Sequence, residues 1–90
     1  MWVYTIVRTF FDANGDWETT TAEETSRSLH EATNNMLNYI RSLQRAGVQY
    51  VGTYNLEYLA STKKENEKHA TLEHPDGRTE IIAIKKNWLY

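Results

Sequence analysis

TAEETSRSLHEATNNMLNYIRSLQRAG, residues 21–47, is the stretch that decides how the other residues can fold. Its apolar side chains recur at helical spacing. Leu29, Ala32, Thr33, Met36, Leu37, Tyr39, Ile40, Leu43 and Ala46 fall on one side at about 100° per residue. Arg27, His30, Glu31, Asn34, Asn35, Asn38, Arg41, Ser42 and Arg45 fall on the other. The spacing predicts one long amphipathic helix with a buried flank. Thr21 and Glu24 have the T-x-x-E spacing of a capping box at its start. Glu23 and Glu24 complement the positive end of the helix dipole, and Arg41 and Arg45 the negative end. Gly47 is placed to take the left-handed conformation that stops a helix. At 1.5 Å per residue the rod is roughly 37 Å long, enough to cross a small sheet.

The flanking segments read as strands. Residues 2–11 are rich in aromatic and β-branched side chains. Trp2, Tyr4, Ile6, Arg8 and Phe10 share one face; Val3, Thr5, Val7, Thr9 and Phe11 share the other. Apolar residues on both faces suggest a central strand covered at least partly on each side. Residues 12–16 contain Asn14-Gly15, which tolerates the positive φ of a tight turn. Residues 17–20 return as a short edge strand. After the helix, residues 48–59 read as a long strand, with Gly52 marking a bulge or close approach. Residues 61–68 are polar and solvated. Residues 68–74 and 78–86 are the last two strands, joined by the turn Pro75-Asp76-Gly77. Residues 87–90 end the chain with large apolar side chains expected to pack.

The expected fold class is α+β. It is a single domain over residues 1–90 with element order ββαβββ and a five-stranded, mainly antiparallel sheet under one long helix. Two strand orders, 2-1-3-4-5 and 2-1-5-4-3, both keep every neighbouring pair antiparallel. The hairpin–helix–strand opening also resembles the β-grasp fold, which is the alternative. Three later strands instead of two would break that fold's parallel central pair.

Ninety residues suit one domain, which buries roughly 60% or more of its unfolded surface. The net charge of −2 argues against a dedicated nucleic-acid binder, which usually carries a basic excess. The chain has no cysteine, which leans toward a reducing, cytoplasmic setting. Met1 leads straight into a strand-like run, so no signal peptide is expected. No apolar run approaches the length of a membrane span.

The chain carries six Tyr, three Trp and two Phe, a high aromatic share for its size. Tyr50, Tyr54 and Tyr58 alternate onto one face of the predicted 48–59 strand. With Trp2, Tyr4 and Phe10 they would make an aromatic platform on a sheet face that the helix leaves open. Such rings anchor protein interfaces, and β-strands also favour them without any function. Arg27, Asn34, Asn38, Arg41 and Arg45 lie within a narrow helical arc. Arg and Asn read phosphates and adenine edges, but a solvated helix face has the same composition. Asp12, Asn14, Asp16, Glu18 and Glu23 match calcium-loop spacing, yet Trp17 stands where the loop's bend needs glycine. His69 and His74 are five apart and face opposite ways on a strand, and no cysteine is present to complete a zinc set. No metal and no cofactor is expected.

Small size, aromatic richness, acidic balance and the absence of a chemical motif point to a protein-binding module that is not an enzyme. Small acidic α+β proteins are common among phage and mobile-element accessory proteins that bind and inhibit a host protein. That association is the working expectation, with another protein as partner and a homodimer through the open sheet face or an edge strand as a further one. The alternative is a nucleic-acid-binding protein using the helix arginines or the aromatic sheet face for stacking.

Overall fold

β1 (Trp2–Phe11) and β2 (Trp17–Ser26) form an antiparallel hairpin in the computed structural model, which describes residues 1–52 and 54–89. Asp12 builds the turn: its Oδ1 accepts from the backbone N–H of Asn14 and of Asp16, both at 2.9 Å. That use of the carboxylate is a turn's, not a cation's.

β2 runs six residues further than the sequence reading placed it, through Thr25↔Thr5 and Ser26↔Tyr4. Thr21, Glu23 and Glu24 therefore lie in an edge strand and cap nothing. β-branched threonine suits the ladder, and pairing with β1 supplies backbone partners that an isolated first helical turn lacks. The helix α1 (Leu29–Arg45) starts after Ser28, whose Oγ accepts from the Glu31 N–H at 3.1 Å. The apolar side of α1 is otherwise as the spacing predicts. Ala32, Thr33, Met36, Leu37 and Ile40 are buried, while Leu29, Tyr39 and Leu43 pack at the margin. Ala46 is exposed. Thr33 donates to the Leu29 carbonyl at 2.7 Å, which makes its burial tolerable. At the far end Gly47 takes φ 91°. Its N–H reaches the Gln44 carbonyl, and that of Val48 reaches Leu43, the paired bonds of a Schellman motif.

The predicted 48–59 strand is largely absent. Only Gln49–Tyr50 pair as β3, and α2 (Leu56–Ser61) follows. Thr53 lies outside the described residues. Asn55 caps α2 by accepting from the Tyr58 N–H at 2.7 Å, and Leu59 of that helix is fully buried. Glu65–Glu67 make a 3₁₀ turn within what the sequence marks as a loop. β4 (His69–Glu73) and β5 (Thr79–Trp88) form the last hairpin, with Gly77 at φ 93° in its turn. Tyr90, part of the expected packed tail, lies outside the described residues.

The sheet order is β2-β1-β5-β4-β3, and every ladder is antiparallel. This selects the second of the two expected orders and excludes the β-grasp alternative, which needs a parallel pair. Both helices cover the same face. The core lies between them and Ile6, Ala70, Leu72, Ile82 and Ile84 of the sheet. Among the described residues no helix is long and apolar enough to cross a membrane.

Candidate protein-interaction surface

The six aromatic side chains expected on one platform do not form one, and Phe10 is buried. Trp2 and Tyr4 share the side of Ile6, the helix-covered side, and Tyr4 packs on the core. Tyr50 and Tyr54 also pack on the core, and the Tyr50 hydroxyl donates to the Tyr54 carbonyl. Burial raises the Tyr50 pKa accordingly. Tyr54 and Tyr58 stack at 4.6 Å beside the start of α2, not along a strand. The Tyr58 hydroxyl donates to Glu67 at 2.8 Å, and that bond first of all lowers the Glu67 pKa. Of the three tyrosines, Tyr58 alone falls among the exposed large side chains.

The helix set is placed as follows. Asn34, Asn38, Arg41 and Arg45 are exposed on the outer side of α1, and Arg27 sits before its cap. Arg45 donates to Ser42 at 3.2 Å, and Asn34 lies 3.3 Å from the His30 ring. Among the described residues no group of three or more His, Asp or Glu converges as a metal ion would require.

Sequence reasoning named Trp2 as an anchor but missed Trp17 and Trp88. Trp2, Trp17 and Trp88 are 49%, 63% and 52% exposed. Tryptophan is highly buried on average, so three exposed copies in one small chain call for a reason. Trp2 and Trp88 are cross-strand partners at one end of the sheet, with rings 5.2 Å apart and edge to face. Lys86 Nζ lies 4.5 Å above the Trp2 ring. Met1 and Leu89, each about half exposed, flank the pair, and the Leu89 N–H donates to the Met1 carbonyl at 2.7 Å.

The backbone explains this exposure. β2 meets β1 only as far as Tyr4, and β4 meets β5 only as far as Ala83, with one further bond from the Ile84 N–H to Lys68. Beyond those points β1 and β5 continue alone as a two-stranded ribbon ending at Trp2↔Trp88. The ribbon combines a rigid aromatic pair, a cation and strand edges free of ladder partners among the described residues. These elements suit side-chain anchoring and strand addition. The one signal in the sequence was the nearly symmetric placement of Trp2 and Trp88 at the two ends.

Two buried charges complete the inventory. Glu80 is fully buried on the helix side of β5 and accepts from Arg8 Nε at 2.6 Å and Nη2 at 3.2 Å, with His74 Nε2 at 2.8 Å. Arg8 also reaches Glu23 at 3.3 Å and lies over the Phe10 and Tyr39 rings at 4.7 and 4.2 Å. Burial pulls the Arg8 pKa down, but Glu80 more than reverses that and leaves it raised. Lys68 is 2% exposed and donates to the Leu59 carbonyl near the end of α2. Burial lowers its pKa. Both charges tie elements together.

A cleft of about 390 Å³ lies between α1 and β2, lined by Glu23, Glu24, Asn35, Asn38, Tyr39, Ser42 and Ile6. Comparison of the chain with protein-family models, curated proteins and solved structures finds no match.

Proposed function

We propose that the protein is a non-enzymatic protein-binding module anchored by Trp2 and Trp88. The observation that supports this reading is the half-exposed, edge-to-face tryptophan pair on a ribbon that no other element covers among the described residues. Burying a Trp removes about 150–250 Å² from water, and the ring brings one polar handle and little conformational entropy. Tryptophans of this kind dominate interface energetics. Lys86, stacked on Trp2, adds a positive rim that suits an acidic partner surface. A phage-type inhibitor would use such an end to occupy a host protein's own docking groove.

Site-specific photocrosslinking tests the proposal. A crosslinker replacing Leu89 should capture one partner from extract of the native host, while a crosslinker at Asn34 on the outer side of α1 should not. Trp88→Ala should weaken binding of the purified partner by about 2 kcal/mol, roughly thirtyfold in Kd. Capture from Asn34 and not from Leu89 would contradict the proposal. Binding of a random-sequence oligonucleotide that weakens steeply with salt would favour the nucleic-acid reading through Arg41 and Arg45.

A further inference from the structure

Among the described residues no helix or second sheet lies on the sheet face opposite α1 and α2, although Val3 at one end of it is buried. Its ladder positions carry Val3, Thr5, Val7, Thr9 and Phe11 on β1, and Thr79, Ile81, Ala83, Lys85 and Asn87 on β5. Thr20, Ala22 and Thr25 of β2 and His69, Thr71 and Glu73 of β4 extend it. Trp17 pairs with Phe11 at one end, and its indole N–H donates to Thr20 at 2.9 Å along the same face. Ile81 is 37% exposed. Apart from His69, the charged side chains at these described ladder positions are Lys85 and Glu73.

From this face we infer that the protein forms a two-fold homodimer, sheet against sheet. Charge placement decides the occupant. Glu73 pairs with Thr79, and Thr79 lies six positions from Lys85 along β5, roughly 20 Å. A two-fold axis in the interface, crossing the strands at the level of Ile82, exchanges those two ends. Lys85 of one copy then lies over Thr79 of the second copy, one strand spacing from that copy's Glu73. The symmetry makes the ion pair twice. The same operation sets Ile81 against Ala83, a large residue facing a small one, and Trp17 against Thr25. A face with one charge of each sign, at opposite ends, meets its own image without like-charge repulsion.

Size sets the strength. An axis at Ile82 overlays the levels of residues 79–85, so four strands at about 4.8 Å spacing and about seven residues long give a footprint of roughly 440 Å² per copy. The total of roughly 900 Å² is that of a weak, reversible interface. Aligned sheets pack within about 30° of each other, which leaves Lys85 within reach of Glu73. This inference does not rest on Trp2 and Trp88, whose rung alternates to the opposite side of the sheet.

Sedimentation equilibrium of the full chain from roughly 1 μM to 1 mM tests it. The expected mass is twice 10.5 kDa at the upper concentrations. Lys85→Glu and Glu73→Lys should each raise the dimer dissociation constant about tenfold or more, and the combined charge swap should restore it to within about threefold of the wild-type value. Trp88→Ala should leave it unchanged. Circular dichroism melts check that each variant is folded. A chain that stays monomeric at 1 mM would overturn the inference, as would a dimer indifferent to both single variants. So would a dimer that Trp88→Ala breaks and Lys85→Glu does not, and the swap's failure to restore what the single variants lose.

Discussion

Ile81 and Ile82 are chemically identical neighbours on β5, yet one is 37% exposed and the other is fully buried. The difference is the pleat: successive side chains leave a strand on opposite faces. On the Ile82 face, α1 and α2 supply Met36, Ile40 and Leu59, and that face carries the core. On the Ile81 face the neighbours are threonines, Val7 and Ala83, side chains that tolerate water and still pack flat. The covered face sets the stability of the fold. The bare face contributes little to it and is correspondingly free to be selected for contact.

Three sets of variants probe this contrast. The largest effect belongs to Arg8→Met. It removes the cation from a carboxylate that is fully buried on the covered face, and should cost about 3–5 kcal/mol in denaturant unfolding. A loss under about 1 kcal/mol would mean that water or His74 satisfies Glu80 unaided. Next, Ile82→Ala should cost about 2–5 kcal/mol by leaving a cavity. Ile81→Ala, measured at concentrations dilute enough for monomer, should cost well under about 1 kcal/mol. Equal losses would show that the bare face is sealed in solution. The smallest effect marks where the chain leaves the sheet to roof it. Ser28→Ala should cost about 1 kcal/mol through the lost cap, and Thr21→Ala on the edge strand about 0.5 kcal/mol or less. The reverse ranking would return the helix start to Thr21.

The covered face was largely legible in the sequence, because a helical stripe and a two-residue alternation have unambiguous periods. The helix start was not. Thr21-x-x-Glu24 and Ser28-x-x-Glu31 both have the spacing of a capping box, and local rules cannot choose between them. The choice was available in the stripe itself, whose first strong member, Leu29, directly follows Ser28. Pairing with β1 then claims the residues before it for β2. Tyr50, Tyr54 and Tyr58 failed for a related reason. A spacing of four fits one face of a strand and one face of a helix equally well. Asn55 as a cap, followed by Leu56, Leu59 and Ala60 at helical spacing, was the signal for α2. The tryptophan ribbon was illegible because it depends on how far each strand outruns its neighbours. Register between β1 and β5 fixes that, across a separation of more than 70 residues in contacts such as Arg8 to Glu80.

That central pairing of β1 with β5 also governs how the molecule can assemble. The strand made first acquires its second partner only when the strand made last has been synthesised, so the middle of the sheet is the final part available to a chain leaving the ribosome. Closing so long a loop before any contact rewards it is slow, and local contacts in α1 and the two hairpins cannot substitute for it. Until β5 arrives, one edge of β1 and the greasy flank of α1 are both open. A premature stop before residue 79 therefore leaves a product with no route to a native sheet.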